Sequence, residues 1–410
     1  MAQGDCPDDD ALRQAWDAFC DTLRSAGTKA FKDYNPANGP QRADAFRFLT
    51  QNLGQAFDLA LETRNPAYPL LHRFCTPTRK LGCDAADLSY QQAWIDGHHS
   101  YLLRGNTGSA RFLNITVQGP RPETQPGTGW PSLHEPFGDI PEANLFGHDL
   151  ATGPNGDFEL YIGGEERGPN WLPTTPGTRK LFIRQGFDDW TETPAQMSIE
   201  RLGMDSARPL PDPGDLCEAM EWAGEFVTGV MRDWPDHPYN YSGGVVDHDC
   251  INAFPPQRAD SGADAKRGRL AAHLCWEMAP DEALIVEFAS HEGFWMASLS
   301  GAFMNSMDYL YRPSSFTPAR AAVDQDGAVR LVLCHTDPGI HNWLDTQGFA
   351  AGNLTYRNLL GAQRTEFSTR LVAVEALADV LPADTVRVTA QQRVEQLQLR
   401  FEAIRRRYGL

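Results

Sequence analysis

Several hydrogen-bonding side chains follow an apolar strand in "LVLCHTDPGIHNWLDTQGFAAGNLTYRN", which runs from Leu331 to Asn358. Val329, Leu331 and Leu333 alternate with polar or outward positions, so His335 falls at the end of the inward row. A histidine titrates near neutral pH and can serve as an acid or a base. We therefore predict His335 as a proton-transfer residue and place Asp337 with it in the catalytic group.

Oxygen-binding and aromatic side chains elsewhere in the chain complete the predicted site. Tyr101 is predicted as a further catalytic residue that binds a substrate oxygen, and Arg357 or Asn342 could hold another. In "MNSMDYLYRP" polar groups interleave with Met304 and Met307, as in an adaptable apolar cavity with a polar end. The residues predicted to bind substrate are Trp94, His99, Trp295, Tyr309, Tyr311, Asn342, Trp343 and Arg357.

A β-hairpin is predicted in "YQQAWIDGHHSYLLRG", because Asp96-Gly97 is a strong signal for a two-residue type I′ turn. Alternation in such a hairpin places on one face the residues Tyr90, Gln92, Trp94, His99, Tyr101 and Leu103. That face mixes aromatic area with polar tips, which suits the floor of a small-molecule pocket. The alternative is that tyrosine and tryptophan simply favour strands.

Structural roles are also open for several of these polar residues. Asp337, Asn342 and Asp345 could cap turns in a long loop. In "FIRQGFDDWTETP" one of Asp188 and Asp189 could enter a pocket, where burial would raise its pKa, or both could pair with arginine or cap a turn.

A metal site is a further alternative. His335 and Asp337 form an H-x-D pair, which is half of the two-histidine, one-carboxylate arrangement of non-haem iron oxygenases. The third ligand would have to be His341, which is close in sequence, or His248 of "VDHDC", which is in the wrong chain order for that class.

Composition excludes some classes of partner. Lys+Arg 36 against Asp+Glu 54 gives a formal charge of -18, which repels phosphate backbones and anionic lipid, so we expect neither nucleic acid nor a membrane as partner. The acidic start "MAQGDCPDDD" and sparse cysteines without a C-x-x-C pair favour a cytoplasmic protein with buried thiols.

No G-x-S-x-G, G-x-x-x-x-G-K-[ST] or strand-linked G-x-G-x-x-G motif occurs, so no cofactor is expected.

The elements that must position the site are short strands between helical ends. Helical periodicity occurs from Leu12 to Leu23, from Phe46 to Leu61 and from Thr389 to Tyr408, and the first two helices are predicted to pack as a hairpin. Between them, residues alternate with a period of two. The prediction is an α+β chain with an antiparallel β-sandwich of jelly-roll type, an N-terminal helical part and a C-terminal helix. Its regions are 1–85 (helical), 86–210 (first β region), 211–240 (linking helix, with Asp215 and Glu218 as a cap pair) and 241–410 (second β region with the C-terminal helix).

Several segments of the amino-acid sequence resemble a known family. "HTDPGIHNWLDTQGFAAGNLTYR", with "FIRQGFDDW", "SIERL" and "IDGHHSYLLRG" upstream, is similar to bacterial proteins of the domain-of-unknown-function 1214 family, often paired with its relative 1254. The resemblance implies a jelly-roll β-sandwich joined to a helical part. It implies no established reaction or cofactor.

These observations favour an enzyme that uses no cofactor and transforms a small, mostly apolar metabolite, such as a terpenoid, steroid or aryl compound. Acid/base chemistry would make it a lyase, hydratase, isomerase or atypical hydrolase. A non-catalytic protein that binds a small molecule or carbohydrate is the first alternative, and the non-haem iron oxygenase is the second. Exposed sheet edges would permit a homodimer.

Overall fold

The structure is a computed structural model that describes residues 8–32, 35–120, 139–241, 251–255, 262–361 and 364–410. Its helices are α1 (Asp9–Gly27), α2 (Gly39–Phe57), α3 (Pro213–Tyr241), α4 (Gly262–Arg267), α5 (Leu377–Val380) and α6 (Ala390–Tyr408). Short 3-10 turns occupy Thr28–Phe31 and Val374–Ala376, and a π-helical turn, Asp58–Glu62, extends α2. The strands before α3 are β1 (His72–Cys75), β2 (Leu88–Trp94), β3 (Tyr101–Asn106), β4 (Phe112–Gly119), β5 (Ile140–Phe146), β6 (Asp157–Ile162), β7 (Trp171–Leu172), β8 (Lys180–Gly186) and β9 (Gln196–Arg201). The strands after α3 are β10 (Arg269–Glu277), β11 (Glu282–Ala289), β12 (Phe294–Ser300), β13 (Ser315–Phe316), β14 (Ala328–Cys334), β15 (Trp343–Asp345), β16 (Ala351–Leu359) and β17 (Ser368–Ala373).

These strands assemble into four sheets. Sheet 1 has the order β1-β2-β8-β4-β5 and sheet 2 the order β7-β6-β3-β9. Sheet 3 has the order β10-β16-β12-β13 and sheet 4 the order β15-β14-β11-β17. Neighbouring strands are antiparallel, apart from the short pairs β6–β7 and β14–β15, which are parallel. The α+β class, with antiparallel sheets and helices at both ends, is thus confirmed, while the jelly-roll connectivity stays a prediction.

Alternating apolar residues place the sheets face to face in two pairs. Ile115 of β4 and Ile183 of β8 share a core with Leu103 of β3 and Leu160 of β6, which joins sheets 1 and 2. Sheets 3 and 4 likewise share a core that holds residues of β10, β12 and β16 on one side and of β11 and β14 on the other. Each pair therefore buries one apolar face of each of its sheets.

The other faces of sheets 1 and 3 meet the helices. Phe182 of sheet 1 and Met296 of sheet 3 belong to one cluster with residues of α1, α2 and α3. The two sheets also approach one another closely at Gly186, because a Cβ atom there would lie 2.8 Å from Cε1 of Phe294 and 3.2 Å from Cδ1 of Leu359. Only glycine permits this approach.

Two sequence predictions about packing are wrong. The Asp96-Gly97 hairpin does not form, because β2 pairs with β1 and β8 in sheet 1 whereas β3 pairs with β6 and β9 in sheet 2. The face predicted to carry Tyr90, Trp94 and Tyr101 together is therefore divided between two sheets. The helices α1 and α2 do not form a simple hairpin either, since α1 packs mainly along α3.

The helix ends also differ in detail from their predictions. The linking helix is present as α3, but its cap is the reciprocal pair Asp212 and Asp215, whose backbone N–H groups each donate to the other side chain at 2.9 Å. Glu218 takes no part in that cap. The helix α6 begins with a capping box of Thr389 and Gln392. In the described part of the chain, no helix is long and apolar enough to span a bilayer.

Candidate functional site

A cleft with a volume of about 390 Å³ opens where α2 crosses the loops of sheets 3 and 4. Its lining is mostly polar, with a smaller apolar portion. The lining residues are Pro40, Ala43, Asp44, Arg47, Gln51, Lys80, Ser306, Met307, Asp308, Arg312, His335, Asp345, Gln347, Gly348 and Phe349.

One wall of the cleft is a single face of α2. Asp44, Arg47 and Gln51 recur at spacings of three and four, which brings them onto one side of a helix. Asn38 caps the start of this helix by accepting from the Gln41 backbone N–H at 2.9 Å. The Gln41 side chain then ties α2 to sheet 3, because it donates to the carbonyl of Ala351 at 3.0 Å.

Left-handed backbone conformations of residues other than glycine cluster around the cleft. Gln347, in the lining, has a φ of 54°. Cys83 and Met304 have φ values of 57° and 53°, and the Cys83 backbone N–H donates to the Met304 carbonyl at 2.8 Å. Such conformations cost energy for any residue with a Cβ, and they concentrate at functional sites. Here they position the residues that follow, Asp84 and Ser306.

A buried chain of hydrogen bonds joins Lys80, Ser306 and Asp84 at the cleft. The Lys80 ammonium donates to Ser306 Oγ at 2.7 Å, and Ser306 Oγ donates to Asp84 Oδ2 at 2.6 Å. Asp84 Oδ1 also accepts from the Ser306 backbone N–H at 2.9 Å. The Lys80 nitrogen lies 3.5 Å from the centre of the Tyr309 ring, so a cation–π contact fixes its position from another side. We call Lys80, Ser306 and Asp84 the proton relay.

Burial changes the acidity of both ends of the proton relay. Desolvation lowers the pKa of Lys80 to about 8, although the nearby carboxylate of Asp84 opposes the shift. Desolvation also raises the pKa of Asp84, against the opposing charge of Lys80. Both shifts favour the neutral forms, because a low-dielectric surrounding penalises separated charges. The amine of Lys80 is therefore available as a base at a lower pH than an exposed lysine.

The opposite wall carries His335 at the end of β14. Its Nδ1 lies 2.8 Å from Thr346 Oγ1, and burial lowers the pKa of the imidazole, against the charge of Asp345. Asp345 is buried and holds Arg312 through a contact of 2.9 Å. The Arg312 side chain is 56% exposed, so its guanidinium stands at the rim with its orientation fixed.

Asp44 adds a second buried carboxyl group. It accepts from Asn305 Nδ2 at 2.7 Å, and desolvation raises its pKa. Asp308 instead has a structural role, since its Oδ1 accepts from the backbone N–H groups of Leu310 and Tyr311 at 3.0 and 3.2 Å. The cleft thus combines an amine and an imidazole of lowered pKa with a carboxyl group of raised pKa.

Of the residues predicted for catalysis and binding, His335 lines the cleft and Tyr309 lies directly beneath Lys80. Tyr311 is 61% exposed and stacks on Phe401. Asp337 forms an ion pair with Arg393 at 2.9 Å and accepts from the Gly339 backbone N–H, so it closes a turn outside the lining.

The predicted residues of the first β region lie in other parts of the fold. The Tyr101 hydroxyl donates to the carbonyl of Pro66 at 3.0 Å within the core of sheets 1 and 2. The Trp94 indole donates to the carbonyl of Leu59 at 3.1 Å. His99 contacts Arg201 at 3.0 Å. None of these three side chains lines the cleft.

The remaining predicted residues also lie outside the cleft lining. Asn342 bonds to the Ala322 backbone N–H and carbonyl, each at 2.8 Å. The Trp343 indole donates to the Cys334 carbonyl, and Trp295 belongs to the core of sheets 3 and 4. Arg357 is fully buried on the far face of sheet 3.

The two aspartates after β8 take the structural roles considered above. Asp188 is an ion-pair partner of Arg111 and accepts from the Ala319 backbone N–H at 2.9 Å. Asp189 accepts from the Thr191 backbone N–H at 2.8 Å, as a turn cap does.

The described residues do not bring together the ligands that a non-haem iron oxygenase would need. His341 Nε2 lies 2.9 Å from the carbonyl of Arg320, and Asp337 is committed to Arg393. His248 lies outside the described residues. Over the ranges that the structure describes, no three histidine, cysteine or acidic side chains are grouped as a metal site.

Sequence reasoning missed Lys80, Asp84 and Ser306. Ser306 lies within the "MNSMDYLYRP" segment that indicated a cavity, but its partner Lys80 is 226 positions away. No local spacing can connect them. A signal was present in "RKLGCDAADL", where a lysine and an aspartate flank Gly82, which has a φ of 65°.

No family model and no curated protein matches this chain. A solved structure of an uncharacterised protein from Burkholderia cenocepacia is 29% identical, with a TM-score of 0.79, and the alignment covers 89% of this chain and 98% of that one. A protein from Vibrio parahaemolyticus aligns over 80% of this chain and 98% of its own, with 10% identity and a TM-score of 0.43. The first of these similarities indicates a shared fold.

Proposed function

We propose that this chain is an enzyme that works without an organic cofactor and moves a proton to or from a small metabolite bound in the cleft. The observation that carries the proposal is the proton relay, in which a buried lysine contacts a serine hydroxyl at 2.7 Å and that hydroxyl contacts a buried carboxyl group at 2.6 Å. The reaction belongs with the lyases, hydratases or isomerases, which need a base and an acid of matched pKa.

The relay provides a way to make the base. When one proton passes from Lys80 to Ser306 and another passes from Ser306 to Asp84, the ammonium–carboxylate pair becomes a neutral amine and a carboxylic acid. The low-dielectric surroundings favour this neutral pair. The free amine then takes a proton from the substrate carbon next to a carbonyl or carboxylate group. The proton returns to a second substrate atom, which restores the amine.

Ser306 acts in this scheme as a relay and not as a nucleophile. A serine nucleophile commonly uses its own or a neighbouring backbone N–H to stabilise the oxyanion that it creates. The Ser306 backbone N–H is occupied by Asp84 Oδ1 at 2.9 Å. This contact disfavours the hydrolase among the four reaction classes, and it predicts that a fluorophosphonate probe leaves Ser306 unlabelled.

The cleft lining supports a substrate with an anionic group and a small apolar body. Arg47 and Arg312 provide positive charge, and Asp345 fixes the second of them from behind. Met307 and Phe349 offer apolar contact area. The lining is more polar than a pure terpenoid or steroid would need, so we favour small carboxylic acids with an apolar or aryl portion.

The proposal is tested by following a panel of small aryl, terpenoid and aliphatic carboxylic acids by mass spectrometry. Wild-type protein should convert at least one compound, and Lys80→Met should reduce its kcat by about 10²- to 10⁴-fold. Lys180→Met is the matched control, because Lys180 is equally buried but pairs with Asp139 at 3.0 Å outside the cleft. Equal turnover by Lys80→Met and wild type would remove Lys80 from the chemistry, and retention of a compound without conversion would favour the binding protein.

A further inference from the structure

The nitrogen of Lys80 is placed where it can react as a nucleophile as well as a base. Lys80 lines the cleft, and only 4% of the residue is exposed, so its amine is largely shielded from bulk water. Ser306 Oγ at 2.7 Å and the centre of the Tyr309 ring at 3.5 Å fix the position of the nitrogen. A desolvated lysine is a nucleophile for carbonyl groups and forms Schiff bases with them.

Arg47 adds to this reactivity from the wall of the cleft that α2 forms. Desolvation is the largest cause of the lowered pKa of Lys80, and the positive charge of Arg47 lowers that pKa further. A neighbouring cation is a second general way to keep a lysine neutral and nucleophilic. Arg47 is exposed, so its guanidinium can also bind the carboxylate of a molecule that enters from solvent. One side chain thus activates the amine and offers a carboxylate site on the same side of the cleft.

We propose that Lys80 captures 2-oxo acids as a Schiff base, with Arg47 binding the carboxylate. In a 2-oxo acid the carbonyl carbon is bonded directly to the carboxylate, so an arginine whose charge reaches the amine directs the carbonyl carbon towards it. Met307 and Phe349 of the lining provide contact area for the apolar part of the molecule. The inference rests on the proposed function, because both need a neutral Lys80 in the cleft, and it adds a covalent reaction to the acid/base role of that amine.

The proton relay supplies the acid that this reaction requires. The Lys80 nitrogen attacks the carbonyl carbon, and one of its protons moves to the carbonyl oxygen, which gives a neutral carbinolamine. Asp84 in its carboxylic-acid form then gives a proton to Ser306, and Ser306 gives its own proton to the carbinolamine hydroxyl group. The carbon–oxygen bond breaks, water leaves, and the nitrogen forms a double bond to carbon. The products are an iminium cation and the Asp84 carboxylate, which replace the ammonium–carboxylate pair.

The other lysines of the chain are controls for this reaction within the same sample. The five lysines are Lys29, Lys32, Lys80, Lys180 and Lys266. Lys180 is buried like Lys80, but it pairs with Asp139 at 3.0 Å and does not line the cleft. Lys32 is exposed and reports the non-specific reaction. One digest therefore compares Lys80 with a buried lysine and with an exposed lysine.

The test treats the full chain with pyruvate and sodium cyanoborohydride and locates the product by peptide mass spectrometry. The reagent adds hydride to the iminium carbon and leaves a stable N-(1-carboxyethyl) group on the lysine. Occupancy of this group at Lys80 should exceed that at Lys32 and Lys180 by about tenfold or more. Acetone, which has the ketone but no carboxylate, should label Lys80 about tenfold less than pyruvate.

An Arg47→Gln variant separates binding of the carboxylate from activation of the amine. A changed acidity of Lys80 affects both ketones alike, so Arg47→Gln should reduce labelling by pyruvate more than labelling by acetone. Arg42→Gln is the matched control, because Arg42 is on the same helix but outside the cleft lining, and it should leave both yields unchanged.

The outcomes distinguish covalent capture from the proposed acid/base function. Equal occupancy at Lys80 and Lys32, or an equal effect of Arg47→Gln on the two ketones, would overturn the proposal. Turnover of a carboxylic acid that Lys80→Met loses, in a wild type that traps no adduct, would refute the capture and leave the acid/base function intact. An adduct concentrated at Lys80, without turnover of any carboxylic acid, would support the capture and count against the acid/base function.

Discussion

The pH dependence of turnover provides a quantitative test of the role of Lys80. Burial lowers the pKa of this amine to about 8, from an ordinary value of 10.5. A base must be neutral to accept a proton, so activity should increase as the pH rises through the pKa of Lys80. With a pKa of about 8, the neutral fraction rises from roughly 9% at pH 7 to roughly 91% at pH 9, which is a tenfold increase.

An unshifted lysine gives a different curve. Its neutral fraction would increase roughly a hundredfold over the same interval and would still be rising at pH 9. The assay is therefore kcat/KM of the converted compound from pH 6 to pH 10, in buffers of constant ionic strength. Burial lowers the pKa of His335 from its ordinary value of 6.5, which moves its titration away from the predicted limb near pH 8. A profile that is flat between pH 7 and pH 9, or one that still rises tenfold per pH unit above pH 9, would refute the reasoning.

The remaining predictions concern the relay and the contact between sheets. Asp84→Asn removes both the proton acceptor at the end of the relay and an anion that raises the pKa of Lys80, so kcat/KM should fall and its rising limb should move to lower pH. A variant with the wild-type kcat/KM and an unmoved limb would exclude this coupling. Gly186→Ala places a methyl group 2.8 Å from Phe294 Cε1 and should lower the free energy of unfolding by about 1–3 kcal/mol in urea denaturation. Gly153→Ala, where the nearest atom is the Asp157 carbonyl oxygen at 3.7 Å, controls for the loss of glycine itself, and equal costs at the two positions would contradict the packing argument.

Local patterns in the sequence predicted many of the elements. The strands β4, β6, β9 and β11 and the helices α1, α2 and α6 occur where the alternation and the helical periods predict them. Successive residues of β16 lie on opposite faces of sheet 3, so Tyr356 enters the core of sheets 3 and 4, whereas Arg357 lies on the other face and donates to the Cys83 carbonyl.

Long-range pairing could not be obtained from the same patterns. A strong turn signal at Asp96-Gly97 indicated a hairpin, yet the Tyr101 hydroxyl accepts from the Asp96 backbone N–H at 2.9 Å, and the chain moves from sheet 1 to sheet 2 there. The face of α6 gives a second example. Val394 contributes to the helical period between Thr389 and Tyr408 but is 48% exposed, because Arg393, Arg400 and Arg407 occupy the buried face. Arginines that recur at helical spacing can therefore mark a docked face when hydrogen-bond acceptors lie opposite it, as the Ser315 carbonyl does for Arg400.

The candidate site also depends on contacts between distant segments, which local patterns do not predict. His335 was found from one strand, because its position depends only on the alternation of β14. Lys80 and Ser306 lie in loops of different halves of the chain, and only the packing of α2 against sheets 3 and 4 brings them together.

Deuterium transfer tests directly whether Lys80 carries the substrate proton. Enzyme equilibrated in D2O carries deuterium on the Lys80 amine, and a substrate proton taken by that amine mixes with it. The three hydrogens of an ammonium group are equivalent, so about two thirds of the returned atoms should be deuterium even without further exchange. Proton transfer through Lys80 predicts that mass spectrometry of an isomerised product finds at least this fraction at one carbon atom. A product formed by the wild type with no deuterium at carbon would contradict proton transfer through Lys80.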